Sequence, residues 1–281
     1  MIAAAFRAAC AEELAALKPG NVHVHADGHG MQVADFLRSA EMAAPALCRT
    51  GARLGTRILG AVEATRKAVG QNTNLGILLL CAPLAMAAEE APIDLRTALR
   101  LVVSRADLED ADATFRAILC AAPGGLSSAS QYDVRAPATV PPAVAMAEAA
   151  GRDRIAWQWA HGYADVFELG LAAHAAAWTR WQDSATATLA VYMEFLSAFP
   201  DSHVRRRHGP AIAERTRLEA LAVLRRLQNS ESPATLLPDL LRWDAALKRE
   251  GINPGTSADL TVATLFTHKL QTLLRPEADA C

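Results

Sequence analysis

Apolar positions along this chain recur at three- and four-residue steps, and alternation at period two is nearly absent. The first spacing predicts helices facing a core, and the second would be needed for strands. In residues 260–274, Ala263, Phe266, Leu270, Leu273 and Leu274 form one apolar stripe. Residues 212–227 repeat the pattern with Ile212, Leu218, Leu221 and Leu224, with Arg225 and Arg226 on the wet side. Breakers such as Lys18-Pro19-Gly20, Gly51, Gly70, Pro92, Gly209-Pro210 and Asn253-Pro254-Gly255 divide the rest. They predict an all-α protein, residues 1–281 as a single multi-helical domain of roughly ten or more helices, packed in more than one layer.

Within this background the segment GQNTNLGILLLCAPLAMAA, residues 70–88, sets Asn72-Thr73-Asn74 against a long apolar run. Asn and Thr cap helices by accepting hydrogen bonds from the first N–H groups. One such residue suffices, so three in a row also fit an anion bound at a helix N-terminus. Three further polar islands share this look. KPGNVHVHADGH, residues 18–29, carries Lys18, Asn21, His23, His25, Asp27 and His29. It reads as a surface turn, a direct substrate contact, or a metal site on the H-x-H spacing. PDSHVRRRHG, residues 200–209, packs an acid, two imidazoles and three guanidiniums into eight positions. Arg suits phosphate oxygens and Asp suits Mg²⁺. NPGTSADL, residues 253–260, reads as a turn plus a capped helix start. Asp107–Asp112, with four acids, and APGGLSS, residues 122–128, are an acidic helix start and either a turn or a phosphate-approaching glycine loop.

Composition narrows the class. Hydrophobic residues are 52% and charged residues 21% of 281, enough for a sizeable core. Net charge is −2, which gives no bulk attraction to nucleic acid or to an anionic membrane. The run from Leu75 to Ala88 is interrupted by Pro83 and is shorter than a span of about 20 residues. Arg7, Glu12 and Glu13 interrupt any signal-like segment at the start. Cys10, Cys48, Cys81, Cys120 and Cys281 contain no C-x-x-C pair and read as free thiols. A cytoplasmic protein is expected, with a homo-oligomer left open.

Taken together, KPGNV, FLRSA, NTNLGILLL, DSHVRRRHG and PGTSADL, in this order over nearly the whole chain, resemble the triphosphoribosyl-dephospho-CoA synthase family. The resemblance implies an all-helical transferase using ATP and Mg²⁺. Such an enzyme moves the 5′-triphosphoribosyl unit of ATP onto the ribose 2′-hydroxyl of 3′-dephospho-CoA and releases adenine. Asn74 and Leu75 stand where the citrate-lyase branch of the family has His and Lys, and Gly30-Met31-Gln32 replaces its acidic D-M-D. LEDAD, PGGLSSASQYDV and AAGRDRIAWQWAHGYADVFELG look closer to a branch seen in archaea and C1-metabolising bacteria.

That chemistry builds positive charge on the ribose and needs held phosphates, a base and a stabilised leaving purine. The expected catalytic residues are Asp201 and His203. Lys18, Asn21, Asn72, Thr73, Asn74, Arg206, Arg207 and Ser257 are expected to bind ATP or phosphate, and Asp201 and Asp259 to bind Mg²⁺. The partners are ATP and dephospho-CoA or a related small acceptor. Competing readings are a different acceptor in one-carbon cofactor assembly, a metal hydrolase on His23 and His25, and a non-catalytic nucleotide-binding scaffold.

Overall fold

In the computed structural model, residues 1–90, 94–126 and 128–275 are described. Pro92, Ser127 and Cys281 lie outside them. The described residues form fourteen α-helices, a π turn and a 3₁₀ turn, with no strand. In order these are α1 (Ile2–Ala15), α2 (Val33–Leu47), α3 (Leu54–Val69), α4 (Leu75–Glu90), α5 (Leu95–Arg105), α6 (Leu108–Ala121), α7 (Pro142–Ala149) and α8 (Arg154–Ala160). The π turn (Asp165–Gly170) leads into α9 (Leu171–Trp181), α10 (Ser184–Ala198), α11 (Ser202–His208) and α12 (Pro210–Asn229). The 3₁₀ turn (Pro233–Leu236) precedes α13 (Leu237–Arg249) and α14 (Gly255–Leu274). The all-α expectation holds. The helix count exceeds ten because short helices, α7, α8 and α11, form between closely spaced breakers.

Three apolar clusters result among the described residues. The largest joins α1 to α8 with α14 and part of α10, the second joins α9, α10, α12 and α13, and a small third one gathers Val204, Ala213, Leu247 and Ile252. Helix α14 packs on α1, α4 and α10 and so links them. Its buried Thr261, Thr264 and Thr267 return their hydroxyls to the carbonyls four residues earlier, at 2.7–2.9 Å, which satisfies them inside the core. The stripes differ from expectation at their ends. Leu218, Leu273 and Leu274 are exposed, while Ala213, Thr216, Ala220, Leu224 and Leu227 form the buried face of α12. Alanine and threonine carry that face because they allow close helix approach.

Helix α4 is buried nearly all round, which explains its lack of a polar stripe. Pro83 lies inside it and has no N–H for the carbonyl of Leu79, four residues back. Trp159 Nε1 donates to that carbonyl at 3.2 Å, and Tyr163 OH donates to the carbonyl of Leu80 at 3.2 Å. The proline therefore fixes α8 and the turn after it against α4. Gly70, at φ 74°, ends α3 in the left-handed conformation and turns the chain toward the start of α4.

Candidate active site

A cavity of about 560 Å³ opens where the N-termini of α4, α8, α11 and α14 converge. That volume lies within the range of about 300–1,000 Å³ usual for small-molecule sites. Its polar lining includes Glu13, Asn21, Asn72–Asn74, Asp153, His203, Arg205, Arg206, Asn253, Thr256 and Asp259. Its apolar lining includes Phe115 and Ile118 of α6, Ala145 and Met146 of α7, Ile155 and Ala156 of α8, and Val134 of the connecting loop. Aligned peptide dipoles give each helix N-terminus a partial positive charge, so the polar lining favours anions.

The Asn-Thr-Asn cluster divides three tasks. Asn72 Oδ1 accepts from the Leu75 N–H at 3.1 Å and caps α4. Thr73 donates to Ser39 Oγ of α2 at 2.6 Å. Asn74 Nδ2 donates to Thr65 Oγ1 of α3 at 3.2 Å. Only the first is capping; the other two anchor the corner to neighbouring helices while all three line the cavity.

Besides Asp153, which is taken up with Arg206, three carboxylates lie at this end in different states. Asp259, in the first turns of α14, lies over Gly76 of α4; a methyl on Gly76 would stand 2.6 Å from the Asp259 carboxylate carbon. Among the described residues nothing hydrogen-bonds to it. Burial, then Asp201, Glu13 and Asp153 nearby, pushes its carboxyl well above the ordinary range. Glu13, on the inner face of α1, is 2.8 Å from the fully buried Lys18 ammonium, and burial pushes its carboxyl up against that attraction. Asp201 is fully buried and does not line the cavity. Its Oδ1 accepts from the N–H groups of His203 at 2.9 Å and Val204 at 3.1 Å. Its Oδ2 accepts from the N–H and hydroxyl of Ser257, both at 2.8 Å.

These states decide which expected metal ligand fits. With four donors on its two oxygens, Asp201 has no lone pair aimed at a metal or a substrate proton, and Ser257 is spent on the same clasp. In this arrangement both act as structural links between α11 and α14. Asp259 does fit Mg²⁺, which commonly takes one or two carboxylates and completes its shell with water and phosphate oxygens. Among the described residues no three His, Cys, Asp or Glu side chains converge as a protein-only metal site.

Of the expected cations, Arg206 lines the cavity. Its Nε donates to the Gly124 carbonyl at 3.1 Å and its Nη1 to Asp153 Oδ2 at 3.1 Å. Asp153 meanwhile caps α8. Arg207 lies outside, against Gly124, where a methyl would stand 2.6 Å from its Nη1. The glycine loop after α6 thus lets two arginines approach its backbone. Lys18 does not reach the cavity. Its three N–H groups go to Glu13, to the Val22 carbonyl at 2.5 Å and to Asn21 Oδ1 at 3.3 Å, and in this arrangement it is a buried anchor. Asn21 does line the cavity and donates to Asn253 Oδ1 at 2.8 Å.

His203 lines the cavity, with Gly255 leaving room for its ring. Burial first, then Arg206 and Arg207, lowers its pKa to about 4, so it is neutral at pH 7. His23 and His25 do not converge on a metal. His23 is buried on Asp244 Oδ1 at 3.3 Å, and His25 is exposed. His29 bonds the Gly20 carbonyl at 2.8 Å. The acids of Asp107–Asp112 cap α6 and clasp Arg53 and the Gly55 N–H, away from the cavity. Met31, in the segment that replaces the citrate-lyase acids, does line it.

Sequence reading missed Glu13, Asp153, Asn253 and the apolar lining. Glu13 left one signal: it follows Phe6, Ala9 and Cys10 at helical spacing, an acid on the buried face of α1.

An all-helical chain whose cavity joins helix N-termini, guanidiniums and an unpaired carboxylate to an apolar lining has the make-up of an enzyme for a phosphorylated substrate. Residues 1–277 match the family described as ATP:dephospho-CoA triphosphoribosyl transferase, and the chain belongs to that family. Among solved structures, a protein from Archaeoglobus fulgidus described as a "putative triphosphoribosyl-dephospho-coA synthase" is similar in fold, with a TM-score of 0.64 at 21% identity over 84% of this chain and 98% of that one. No curated protein matches. Among the described residues no single helix is long and apolar enough to cross a membrane.

Proposed function

We propose that this chain transfers the 5-triphosphoribosyl group of ATP to dephospho-CoA with release of adenine. Membership of the family over residues 1–277 supports the reaction class. The observation that carries the assignment of parts is the meeting, in one cavity, of Asp259, the α4 and α14 N-termini and the α11 arginines.

In this reading the triphosphate lies against the polar lining. The peptide N–H ends of α4 and α14 and the guanidiniums of Arg205 and Arg206 offset its charge. Asp259 would hold Mg²⁺, which when bound neutralises phosphate charge. Asn72, Thr73 and Asn21 offer amide and hydroxyl groups to ribose or phosphate oxygens. The apolar lining suits purine and the pantetheine arm, which carry little charge. Phe115, Ile118 and Met146 line the same cavity, and apolar walls of this kind strengthen the pull of nearby charges on a bound substrate. Leu75 offers no cation where the citrate-lyase branch has lysine, and Arg205, which also lines the cavity, would take its place.

Adenine formation tests the proposal. Purified protein with ATP, Mg²⁺ and dephospho-CoA is expected to release free adenine, and omission of either nucleotide is expected to stop it. Adenine released only with another acceptor would retain the nucleotide half of the reading and reject dephospho-CoA.

A further inference from the structure

The clasp on Asp201 leaves His203 as the one expected base that lines the cavity, and the structure supplies another candidate. We infer that Glu13 is the general base that takes the proton from the attacking hydroxyl, and that Lys18 is the positioning residue that holds it. This rests on the group-transfer reading above.

Four observations carry it. Glu13 lines the cavity while being only 5% exposed, so it is presented to a ligand and shielded from bulk water. Its only side-chain partner among the described residues is Lys18, which touches Oε1 at 2.8 Å, so Oε2 stays available as an acceptor. Lys18 has three donors with three acceptors in reach, Glu13, the Val22 carbonyl and Asn21 Oδ1, the arrangement that suits an ammonium beside a carboxylate. Finally, Tyr192 OH donates to the Pro19 carbonyl at 2.7 Å and Asp244 accepts from the Gly20 N–H at 2.8 Å, so the turn carrying Lys18 is itself pinned.

The alternatives are worse placed. His203 stands among Arg206 and Arg207, where an imidazolium is disfavoured, and Asp259 is the carboxylate that suits the metal. In the step itself the hydroxyl oxygen forms a bond to ribose C1′ and its proton passes to Glu13 Oε2. The C1′–N bond breaks and its electron pair leaves with adenine. Adenine takes up a proton from water, and Glu13 returns its own to water, so protons balance.

The test uses adenine release by the full chain together with ATP affinity by calorimetry. Glu13→Gln alone strands a buried ammonium, which is costly to the fold. The paired variant Glu13→Gln/Lys18→Met removes both charges and keeps the packing. It is expected to fold, to keep its ATP Kd within about threefold, and to lose at least about 100-fold in kcat, the lower end for a lost general base. Lys18→Met alone is expected to lower kcat with both KM values within about threefold, and Glu13→Asp to retain part of the rate. A paired variant within about tenfold of wild-type kcat, or one whose ATP affinity falls as far as its rate, overturns the inference while leaving the group-transfer reading intact. If the paired variant does not fold, Glu13→Asp decides: an undiminished rate overturns the assignment. Wild-type protein that releases no adenine removes the reading, and the inference with it.

Discussion

One carboxylate oxygen of Asp201 receives both the N–H and the hydroxyl of Ser257 at 2.8 Å, joining the start of α14 to the start of α11. Because the other oxygen caps α11 itself, this residue sets the distance between two walls of the cavity. Asp201→Asn replaces an acceptor oxygen with a donor facing donors. It is expected to cost about 3 kcal/mol, combining a lost cap with stranded buried N–H groups. Urea unfolding measures this. A metal-ligand role would instead leave stability nearly unchanged and raise the Mg²⁺ midpoint.

Gly76 and Asp259 form the second contact on which the site depends. A methyl at Gly76 has no space beside the Asp259 carboxylate. Gly76→Ala must therefore push Asp259 or the α4 N-terminus aside by an ångström or so. The expected result is a loss of about 100-fold in kcat/KM, measured by adenine release. Activity equal to wild type would show that Asp259 is not held where the reaction needs it.

Arg206 links the glycine loop, through the Gly124 carbonyl, to Asp153 at the start of α8. Arg206→Ala removes a cation and opens that wall together. ATP Kd is expected to rise about 10- to 100-fold, the range of one or two charge-assisted hydrogen bonds. Arg206→Lys is expected to recover only part, because an ammonium cannot span both acceptors. Unchanged ATP affinity in the alanine variant would place the triphosphate elsewhere.

The helices were readable because their spacing is periodic, and the corner at Asn72–Asn74 because polar residues interrupt an apolar run. Burial was not readable. Lys18, Asp201 and Ser257 are residue types that bind nucleotides, and here they face inward, Lys18 onto Glu13 and Asp201 onto Ser257. Glu12 and Glu13 are adjacent and chemically alike. A 100° step around α1 sends Glu12 outward to Lys269 and Ser184, and Glu13 inward to Lys18 and the cavity. The apolar lining escaped notice because Phe115, Met146 and Ile155 look like ordinary core residues until three helices leave a space between them.

His203 gives a pH signature. Its pKa is about 4 folded and about 6.5 in an unfolded chain. Between those values the unfolded chain holds the extra proton, so stability rises with pH from about 4 to about 6.5 and is flat above. Acidification from pH 7 to 5 is expected to cost about 2 kcal/mol through this residue. Denaturant titrations of wild type and His203→Gln at both values measure it. The variant should lose about that much less on acidification, and equal losses would remove His203 as the source.

The most direct measurement follows both products by mass spectrometry in one reaction of the protein with ATP, Mg²⁺ and dephospho-CoA. Adenine and triphosphoribosyl-dephospho-CoA are expected in equal amounts, with no ADP or AMP accumulating. Phosphate-bond cleavage in place of adenine loss, or a dephospho-CoA pool that stays unmodified while adenine appears, would contradict it.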